Sequence, residues 1–310
     1  MSPKAWELFT LLALCLLATS CNGVTRTVRV TVTGEDGTPI KDADVAVKYL
    51  GYQKTIRKEG QSNEQGVFSA TGSTPLRMTV GIAKNGYYKT HSGRLSRTQD
   101  HDVTFVLREK RKPIPLYAKR EIITFPINRE WLGYDFQAGD WTDPHGEGKT
   151  IDLWFKCDTE KVNSGRYRDA KGSLEIKFRE DEGLLLVQDD YLPLSIMKMP
   201  HLAPQAGYQN TFRRFEESYR NKEFRRNTGY FFRTRVRKEG ERIVSAHYGK
   251  LLKDIRFDPR DMSRKGKPKE FGTTVFTYYF NPTPNDRNLE FDPKRNLLTN
   301  LEYEERANEP

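Results

Sequence analysis

The sequence of 310 residues lacks an apolar run long enough to cross a membrane as a helix. Its longest such run, from Leu8 to Ala18, would extend about 17 Å as a helix. This is roughly half of a ~30 Å hydrocarbon core. We therefore predict no membrane-spanning segment.

The same run has the features of a secretory signal peptide. Lys4 supplies a positive start, and small residues precede Cys21. The stretch Leu17-Ala18-Thr19-Ser20-Cys21 resembles the lipobox of bacterial lipoproteins. This resemblance implies that residues 1–20 are removed and that Cys21 carries fatty acyl groups such as palmitate. It predicts a cell-envelope protein, lipid-anchored to a bacterial membrane at the outer membrane or the periplasmic face. The alternative is a plain signal peptide with an incidental cysteine.

Cysteine is scarce, with three residues in the chain. Cys15 lies within the signal peptide and Cys21 is the expected lipidation site, so Cys157 has no partner for an intrachain disulfide. In "TIDLWFKC", Ile151, Leu153, Phe155 and Cys157 share one face of a period-two pattern. We predict a buried, unreactive thiol at Cys157.

Catalytic motifs are also missing. The sequence has no G-x-S-x-G elbow, no H-E-x-x-H and no phosphate-binding glycine loop. None of its five histidines has a recognisable nucleophile context, and we predict no cofactor. Glycosidases need only two carboxylates about 5–9 Å apart. Because residues 121–310 contain 32 Asp and Glu, a polysaccharide-acting hydrolase of the envelope remains an alternative.

Positive charge is concentrated in the first part of the chain, although the whole carries +10. Residues 21–108 have 13 basic and 8 acidic side chains, a balance of +5, and residues 109–120 add +4. Residues 121–310 are nearly balanced, with 33 basic and 32 acidic side chains. The excess lies near any membrane that the anchor reaches, where basic residues are attracted to anionic lipid.

Residues 21–108 contain many short strands separated by Gly- and Asp-containing turns. "TRTVRVTVTG" alternates valine with Arg or Thr, Asp36-Gly37 predicts a hairpin turn, and "HDVTFVL" closes the series. Even spacing of short strands is typical of an antiparallel β-sandwich.

This region resembles the carboxypeptidase regulatory-like domain, a transthyretin-like β-sandwich. The similarity lies in "VTVTGEDGTPIKDADVAV", "SNEQGVFSA" and "LRMTVGIAKNGYY". It covers about 85 of the 310 residues. Such domains are similar to spacers and adhesion modules without catalytic residues, so the resemblance implies a fold and no activity.

The stretch "EKRKPIPLYAKR" (residues 109–120) is predicted to be a short basic linker stiffened by two prolines. Residues 121–310 have mostly strand-like patterns, as in "EIITFPI", "SLEIKF", "GYFFRTRVR" and "TTVFTYYF". One exception is Phe212, Phe215 and Tyr219, whose spacing predicts a short helix. We expect an all-β chain in which the small antiparallel sandwich is followed by a larger β-rich domain, jelly-roll or lectin-like, of unknown function.

The most site-like stretch is "REWLGYDFQAGDWTDPHGEGK" (Arg129 to Lys149). Its aromatic side chains can stack on sugar rings, and its carboxylates can accept hydroxyl hydrogens. The alternative is that the tryptophans fill the core. The candidate ligand-binding residues are Trp131, Tyr134, Trp141, Asp143, His145 and Glu147.

Two other binding functions are considered. Asp143, His145 and Glu147 would point the same way on an extended chain, as in a metal site, but Pro144 and two glycines favour a turn, and we predict no metal. Residues 213–238 mix basic and aromatic side chains, as nucleic-acid surfaces do. Because export removes the chain from the cytosol, we predict no nucleic-acid partner. The function expected is non-catalytic binding or assembly, with a glycan or an envelope protein as ligand.

Overall fold

The computed structural model of the protein describes residues 23–164, 167–217, 225–260 and 271–310. Within these ranges the chain is all-β, as predicted, and its helices are two single 3₁₀ turns, Pro293–Arg295 and Tyr303–Glu305. Among the described residues, no helix is long and apolar enough to cross a membrane. The signal segment and Cys21 lie outside the described residues.

The chain forms two compact units, which divide between Lys110 and Arg111. We call them unit 1 and unit 2. Unit 1 has one sheet in the order β4-β1-β8 and a second in the order β3-β2-β5-β6, in which β7 also pairs with β5. Its strands are β1 (Val24–Thr33), β2 (Asp44–Leu50), β3 (Ile56–Gln61), β4 (Val67–Thr74), β5 (Arg77–Ala83), β6 (Thr90–His91), β7 (Leu95–Ser96) and β8 (His101–Val106).

The alternation of the sequence decides which side chains fill the core of unit 1. Val28, Val30 and Val32 of β1 are fully buried, and the alternate residues of β2 and β5 pack with them. At the predicted turn Gly37 has φ +80°, and Asp36 Oδ1 accepts the backbone N–H of Thr38. One feature differs from the expected antiparallel sandwich: β8 runs parallel to β1, whereas β4, on the other side of β1, is antiparallel to it.

Unit 2 contains a five-stranded sheet in the order β11-β10-β12-β13-β15 and a six-stranded sheet in the order β14-β16-β17-β19-β18, in which β9 pairs with β19. Its strands are β9 (Tyr117–Thr124), β10 (Leu132–Asp135), β11 (Asp140–Trp141), β12 (Leu153–Ser164), β13 (Tyr167–Lys177), β14 (Gly183–Val187), β15 (Thr211–Glu217), β16 (Gly229–Glu239), β17 (Arg242–Leu251), β18 (Arg256–Asp258) and β19 (Thr273–Phe280). The strands predicted in this region are confirmed as β9, β12, β13, β16 and β19.

The six-stranded sheet is buried on both faces. One face packs against the five-stranded sheet through an aromatic core that includes Phe155, Phe232 and Phe276. The other face carries Phe231 and Tyr279, which are covered by residues of the loops 188–210 and 281–310. This explains the continuous apolar run at the start of β16, since strands buried on both faces do not alternate. The outer face of the five-stranded sheet is described below.

Residues 111–120 belong to unit 2 and do not form a solvated linker as predicted. The backbone N–H groups of Arg111 and Lys112 donate to the carboxylate of Glu290, which is fully buried. Leu116 is also buried, and β9 begins at Tyr117. The charged residues of this stretch led to the prediction of an exposed linker. Its backbone N–H groups instead bind the carboxylate of Glu290, which is 178 residues further along the chain from Lys112.

The helix predicted from Phe212 and Phe215 is wrong, because residues 211–217 form β15. Tyr219 lies outside the described residues. In β15 the inward positions are occupied by Arg214 and Glu216, which are buried, whereas Phe215 is 48% exposed. Charged residues at inward positions concealed the period-two pattern, and the outward phenylalanine produced a helical spacing by coincidence.

Cys157 is buried, as predicted. Its Sγ is 3.1 Å from the carbonyl oxygen of Phe271, and burial raises the pKa of the thiol to about 12. The thiolate is therefore scarce at neutral pH, and the thiol is unreactive.

The turn before β14 buries a carboxylate at Glu182. Its Oε1 accepts the N–H of Val236 at 2.9 Å, whereas Oε2 has no hydrogen-bond partner among the described residues. Burial raises the pKa of this carboxyl. The folded protein therefore holds the proton more tightly than the unfolded chain does, and stability falls as the pH rises from the unfolded pKa through the folded pKa.

We expect Glu182→Gln to increase the free energy of unfolding by about 1 kcal/mol at pH 8, because an amide carries no buried charge. The gain should disappear near pH 4, where the wild-type carboxyl is protonated in both states. Urea denaturation at pH 4, 6 and 8 measures this difference. Glu180→Gln is the matched control, since Glu180 is exposed. An equal effect of both substitutions at every pH would contradict the prediction.

Candidate functional site

The predicted loop of residues 129–149 divides between the core and the surface. Tyr134 and Trp141 are buried, with exposed fractions of 0% and 6%. Their rings meet edge to face at 5.6 Å, and each also contacts Phe155. The Tyr134 hydroxyl donates to Glu121. These two side chains therefore pack the core and present no face to a ligand in this structure.

Asp143, His145 and Glu147 lie in a turn at the surface. The N–H of His145 donates to the carbonyl oxygen of Thr142, and that of Glu147 donates to Asp140 Oδ2. In the part of the chain that the structure describes, no group of three His, Cys, Asp or Glu side chains is arranged to hold a metal ion. The turn separates the three side chains that an extended strand would have aligned.

Two of the five carboxylates of this loop, Asp135 and Asp140, bind its own backbone. Asp135 is buried and accepts N–H groups from both ends of the loop: Gln137 at 2.9 Å, and Lys149 and Thr150 at 3.0 Å each. The Asp-rich composition, which suggested binding, reflects this internal role.

The carboxylates of Asp135 and Asp152, both in unit 2, lie close together and bind the same guanidinium. Arg235 lies between them, with Nε 2.7 Å from Asp152 Oδ1 and Nη2 3.2 Å from Asp135 Oδ1. Asp152 is fully buried and also accepts the N–H of Phe136. A hydrolytic pair needs access to a glycosidic bond. This pair is closed by the guanidinium and by backbone amides, which indicates a structural role.

Trp131 is in a different position from the other aromatic residues of the loop. It is 41% exposed, on the outer face of the five-stranded sheet. The Lys156 ammonium lies 4.8 Å from the centre of its ring, and the Lys177 ammonium lies 6.0 Å from it. Both distances are within the range of cation–π attraction.

Strand register explains why these side chains share a face. Leu132 pairs with Phe155, and both point inward, so Trp131 and Lys156 point outward. Trp154 is directly opposite Lys177 on the same face. The next row across β12, β13 and β15 is Lys156, Glu175 and Arg213.

We call this surface the aromatic–basic face. It consists of Trp131, Trp154, Lys156, Glu175, Lys177, Arg179, Arg213 and Phe215. The guanidinium of Arg179 lies 5.4 Å from the centre of the Trp154 ring, and Phe215 extends the apolar area at the β15 edge.

The charges of the face are predominantly positive. Among the residues named, Glu175 is the carboxylate, and it lies 3.1 Å from Lys156 Nζ and 3.7 Å from Arg213 Nε. Asp158, in the same row as Phe215, lies 2.8 Å from Arg129 Nε. Lys177 and Arg179 are exposed beside the two tryptophan rings. Flat aromatic surfaces next to cations can stack a sugar ring and pair with a carboxylate or sulfate on it.

Sequence reasoning identified Trp131 but missed Trp154, Lys156, Lys177 and Arg213. A signal for two of them was present, because the pattern that placed Leu153, Phe155 and Cys157 inward places Trp154 and Lys156 outward. The contribution of β13 and β15 depends on strand pairing, which a single sequence does not specify.

Comparison with solved structures finds low similarity spread over the chain. A Bacteroides uniformis protein described as a "putative carbohydrate binding protein" aligns with 9% identity over 81% of this chain and 97% of its own, with a TM-score of 0.22. A DUF3823 family protein of the same organism aligns with 7% identity over 81% and 98%, with a TM-score of 0.20. A 3-chlorocatechol 1,2-dioxygenase from Rhodococcus opacus aligns with 12% identity over 28% of this chain, with a TM-score of 0.24.

The chain spans 61% of the length of that dioxygenase and 57% of a hydroxyquinol 1,2-dioxygenase from Pseudomonas putida. No family model matches the sequence. No curated protein matches it either. The chain is thus similar, distantly, to several β-rich proteins.

Proposed function

We propose that this chain is a lipid-anchored protein of the bacterial cell envelope that binds an acidic glycan without catalysing a reaction. The observation that supports glycan binding is the 41% exposure of Trp131 on the outer face of a sheet, with the Lys156 and Lys177 ammonium groups 4.8 Å and 6.0 Å from the centre of its ring. Rigid sheets hold such side chains in place, so little conformational entropy is lost when a ligand stacks on them.

The anchor is supported by the lipobox-like residues before Cys21. Two or three acyl chains at one residue hold a protein firmly on a bilayer, since each buried methylene contributes about 0.8 kcal/mol. The anchored membrane would be the outer membrane or another membrane on its periplasmic face.

Unit 1 serves as a spacer of the carboxypeptidase regulatory-like type in this proposal. The described chain enters unit 1 at Gly23, beside Ser73 and Thr74 at the end of β4. It leaves at Lys110, whose N–H donates to the carbonyl oxygen of Gly86, beyond the other end of β5. Entry and exit at opposite ends suit a module that separates an anchor from a binding unit.

A glycan fits the aromatic–basic face better than a nucleic acid does. Phosphate backbones are held by many basic residues in a groove, whereas this face combines four cations with Glu175. Export to the envelope also removes the chain from nucleic acids. The alternative function, hydrolysis of an envelope polysaccharide, would require an open pair of carboxylates, and Asp135 and Asp152 are closed by Arg235.

We expect Trp131→Ala to weaken binding of an acidic polysaccharide at least tenfold, because a stacked aromatic contributes about 1.5 kcal/mol. Titration calorimetry of residues 22–310 with polygalacturonate and chondroitin sulfate measures the affinity, with neutral dextran as the reference glycan. Trp131→Phe should retain most of the affinity. Tyr303→Ala is the control, since Tyr303 is an aromatic residue that is 80% exposed outside this face.

Four outcomes would overturn the proposal. The glycan part fails if no acidic or neutral polysaccharide binds, or if Trp131→Ala and Tyr303→Ala have the same affinity as the wild type. Release of reducing ends from the polysaccharide would support the hydrolase. Capture of an envelope protein that depends on Trp131, without glycan binding, would indicate a protein ligand.

A further inference from the structure

At one end of unit 1, three loops that connect strands lie near Gly23, the first described residue. Val24 pairs with Thr74, so the start of β1 and the end of β4 lie together. The Thr74 hydroxyl donates to the carbonyl oxygen of Leu50 at 2.7 Å, which brings the end of β2 to the same place. We call this the anchor end of unit 1.

The three connections at the anchor end are residues 51–55, 75–76 and 97–100. The last of them is tied to β1 by Arg26, which donates to the carbonyl oxygens of Arg97 and Thr98, and by Asp100, which accepts the N–H of Thr27. These bonds fix the connection beside the first residues of the chain.

The anchor end is also close to the expected lipidation site. Cys21 precedes Gly23, the first described residue, by two residues in the sequence, and two residues of extended chain span at most about 7 Å. Acyl chains on Cys21 would therefore hold this end at the surface of the bilayer.

The apolar side chains at this end are unusual for unit 1. Tyr52 is 73% exposed and Leu76 is 37% exposed, and within residues 23–110 these are the two large hydrophobic side chains that are exposed. Both lie in connections of the anchor end. Tyrosine is enriched at membrane interfaces because its ring is apolar and its hydroxyl is polar.

The exposed charges of the two ends differ in balance. At the anchor end Lys54 and Arg97 are exposed together with Asp100. The turns of the other end carry exposed carboxylates, namely Glu35, Asp36, Asp42 and Glu64, of which Glu35 is paired with Arg108 and Glu64 with Lys41. Anionic phospholipid therefore attracts the first end more than the second.

We infer that the anchor end of unit 1 is a membrane-contact surface, in which Tyr52 and Leu76 enter the headgroup region and Lys54 and Arg97 bind anionic phospholipid headgroups. This inference rests on the lipid anchor of the proposed function. It gives unit 1 a fixed orientation on the membrane, with its acidic turns directed away from the bilayer.

A fluorescent label beside Tyr52 tests the contact. Because Cys157 is buried and its thiol pKa is about 12, maleimide NBD should react selectively with an exposed engineered cysteine. Residues 22–310 with an N-terminal hexahistidine are tethered to nickel-chelating lipid in vesicles of phosphatidylcholine and phosphatidylglycerol. Gln53→Cys carries the label at the anchor end, and Asn85→Cys carries it at the other end as the control.

We expect the emission of the Gln53→Cys label to shift to the blue and to be quenched at least twofold by a headgroup-region nitroxide lipid. The Asn85→Cys label should stay water-like. Emission at position 53 that stays water-like on tethered protein would overturn the inference. So would equal quenching at both positions.

The charges are tested without a tether. Lys54→Glu combined with Arg97→Glu should weaken binding to phosphatidylglycerol vesicles by more than about 25-fold, since each basic residue near such a surface contributes about fivefold. Lys41→Glu, at the acidic end, should have little effect. Equal affinities of the wild type and the double variant would contradict the role of these two residues.

Whether Cys21 carries a lipid anchor is tested in a separate experiment. Intact-mass analysis of the native protein shows whether Cys21 is acylated, whereas the hexahistidine tether replaces the anchor in the labelling experiment. An unacylated Cys21 together with a membrane-inserted label would contradict the lipid anchor and support the membrane-contact surface. An acylated Cys21 together with a label whose emission stays water-like would support the lipid anchor and contradict the membrane-contact surface.

Discussion

Replacing Arg235 with methionine should lower the free energy of unfolding by about 3–5 kcal/mol, because it leaves two buried carboxylates without their shared partner. Asp152 is fully buried, and it receives Arg235 Nε at 2.7 Å and Nη2 at 3.0 Å. Arg235 Nη1 also donates to Gln137, within the loop that Asp135 organises. Chemical denaturation at pH 7 measures the loss.

The loss should increase with pH. Burial raises the pKa of Asp152, and Arg235 opposes this rise. Without Arg235 the folded-state pKa of Asp152 rises further above its unfolded value. A raised pKa costs stability as the pH rises from the unfolded pKa through the folded one. We therefore expect a larger loss at pH 8 than at pH 5.

Arg242→Met is the control for this experiment. Arg242 is 79% exposed and lies 3.6 Å from Glu239, so its ion pair is solvated and contributes less than about 1 kcal/mol. If Arg235→Met were as mild as Arg242→Met, the two aspartates would not depend on the guanidinium. Arg235 would then not be shown to close the Asp135–Asp152 pair, and the argument against a hydrolytic role of this pair would fail.

Alternation made most of the fold predictable. From Val28 to Val32 in β1, and throughout β5, every second side chain is apolar, so local sequence determines both the strand and its buried face. The paired stretches of unit 2 follow the same rule. The central strand β16 was also predicted from the sequence. Its first six residues are all buried and do not alternate, because the strand packs on both faces.

The pattern failed where buried positions are charged. Arg214 and Glu216 are buried in the stretch that was predicted to be a helix, and the buried Glu290 binds the backbone of the stretch that was predicted to be a linker. Such residues are stable inside a protein only with partners. The partners are far away in sequence, as with Glu290 and Lys112, so hydropathy alone does not reveal them.

The sequence predicted only part of the candidate site, because residue composition does not show which side chains of a loop are buried. Glycine, aspartate and tryptophan occur both in binding loops and in loops closed by buried aspartates, so the composition of residues 129–149 did not distinguish the two. Trp131 is open and Trp141 is closed because the first precedes β10 on its outer side and the second packs against Phe125 inside. Only the arrangement of the sheets separates them.

The second large effect concerns Asp254, which attaches β15 to the rest of unit 2. Its carboxylate accepts Arg214 Nη2 at 2.6 Å, the N–H of Arg225 at 2.7 Å and the Tyr230 hydroxyl at 2.7 Å. Asp254→Ala should lower the free energy of unfolding by about 3–5 kcal/mol, since Arg214 is only 4% exposed and would keep Glu216, 3.7 Å from its guanidinium, in place of the closer Asp254. Denaturation of the variant measures this loss.

The double variant Arg214→Met/Asp254→Leu distinguishes the cost of an unpaired charge from the loss of packing. Apolar replacement of a buried pair is often neutral or stabilising, so the double variant should recover part of the stability that Asp254→Ala loses, and the recovery is limited because the buried Glu216 loses Arg214 at 3.7 Å. An equally unstable double variant would mean that the other donors to Asp254 dominate. Because β15 carries Arg213 and Phe215, a detached β15 in Asp254→Ala should also weaken glycan binding, and the recovered double variant should restore it. The buried ion pair thereby links the stability of an edge strand to the integrity of the aromatic–basic face.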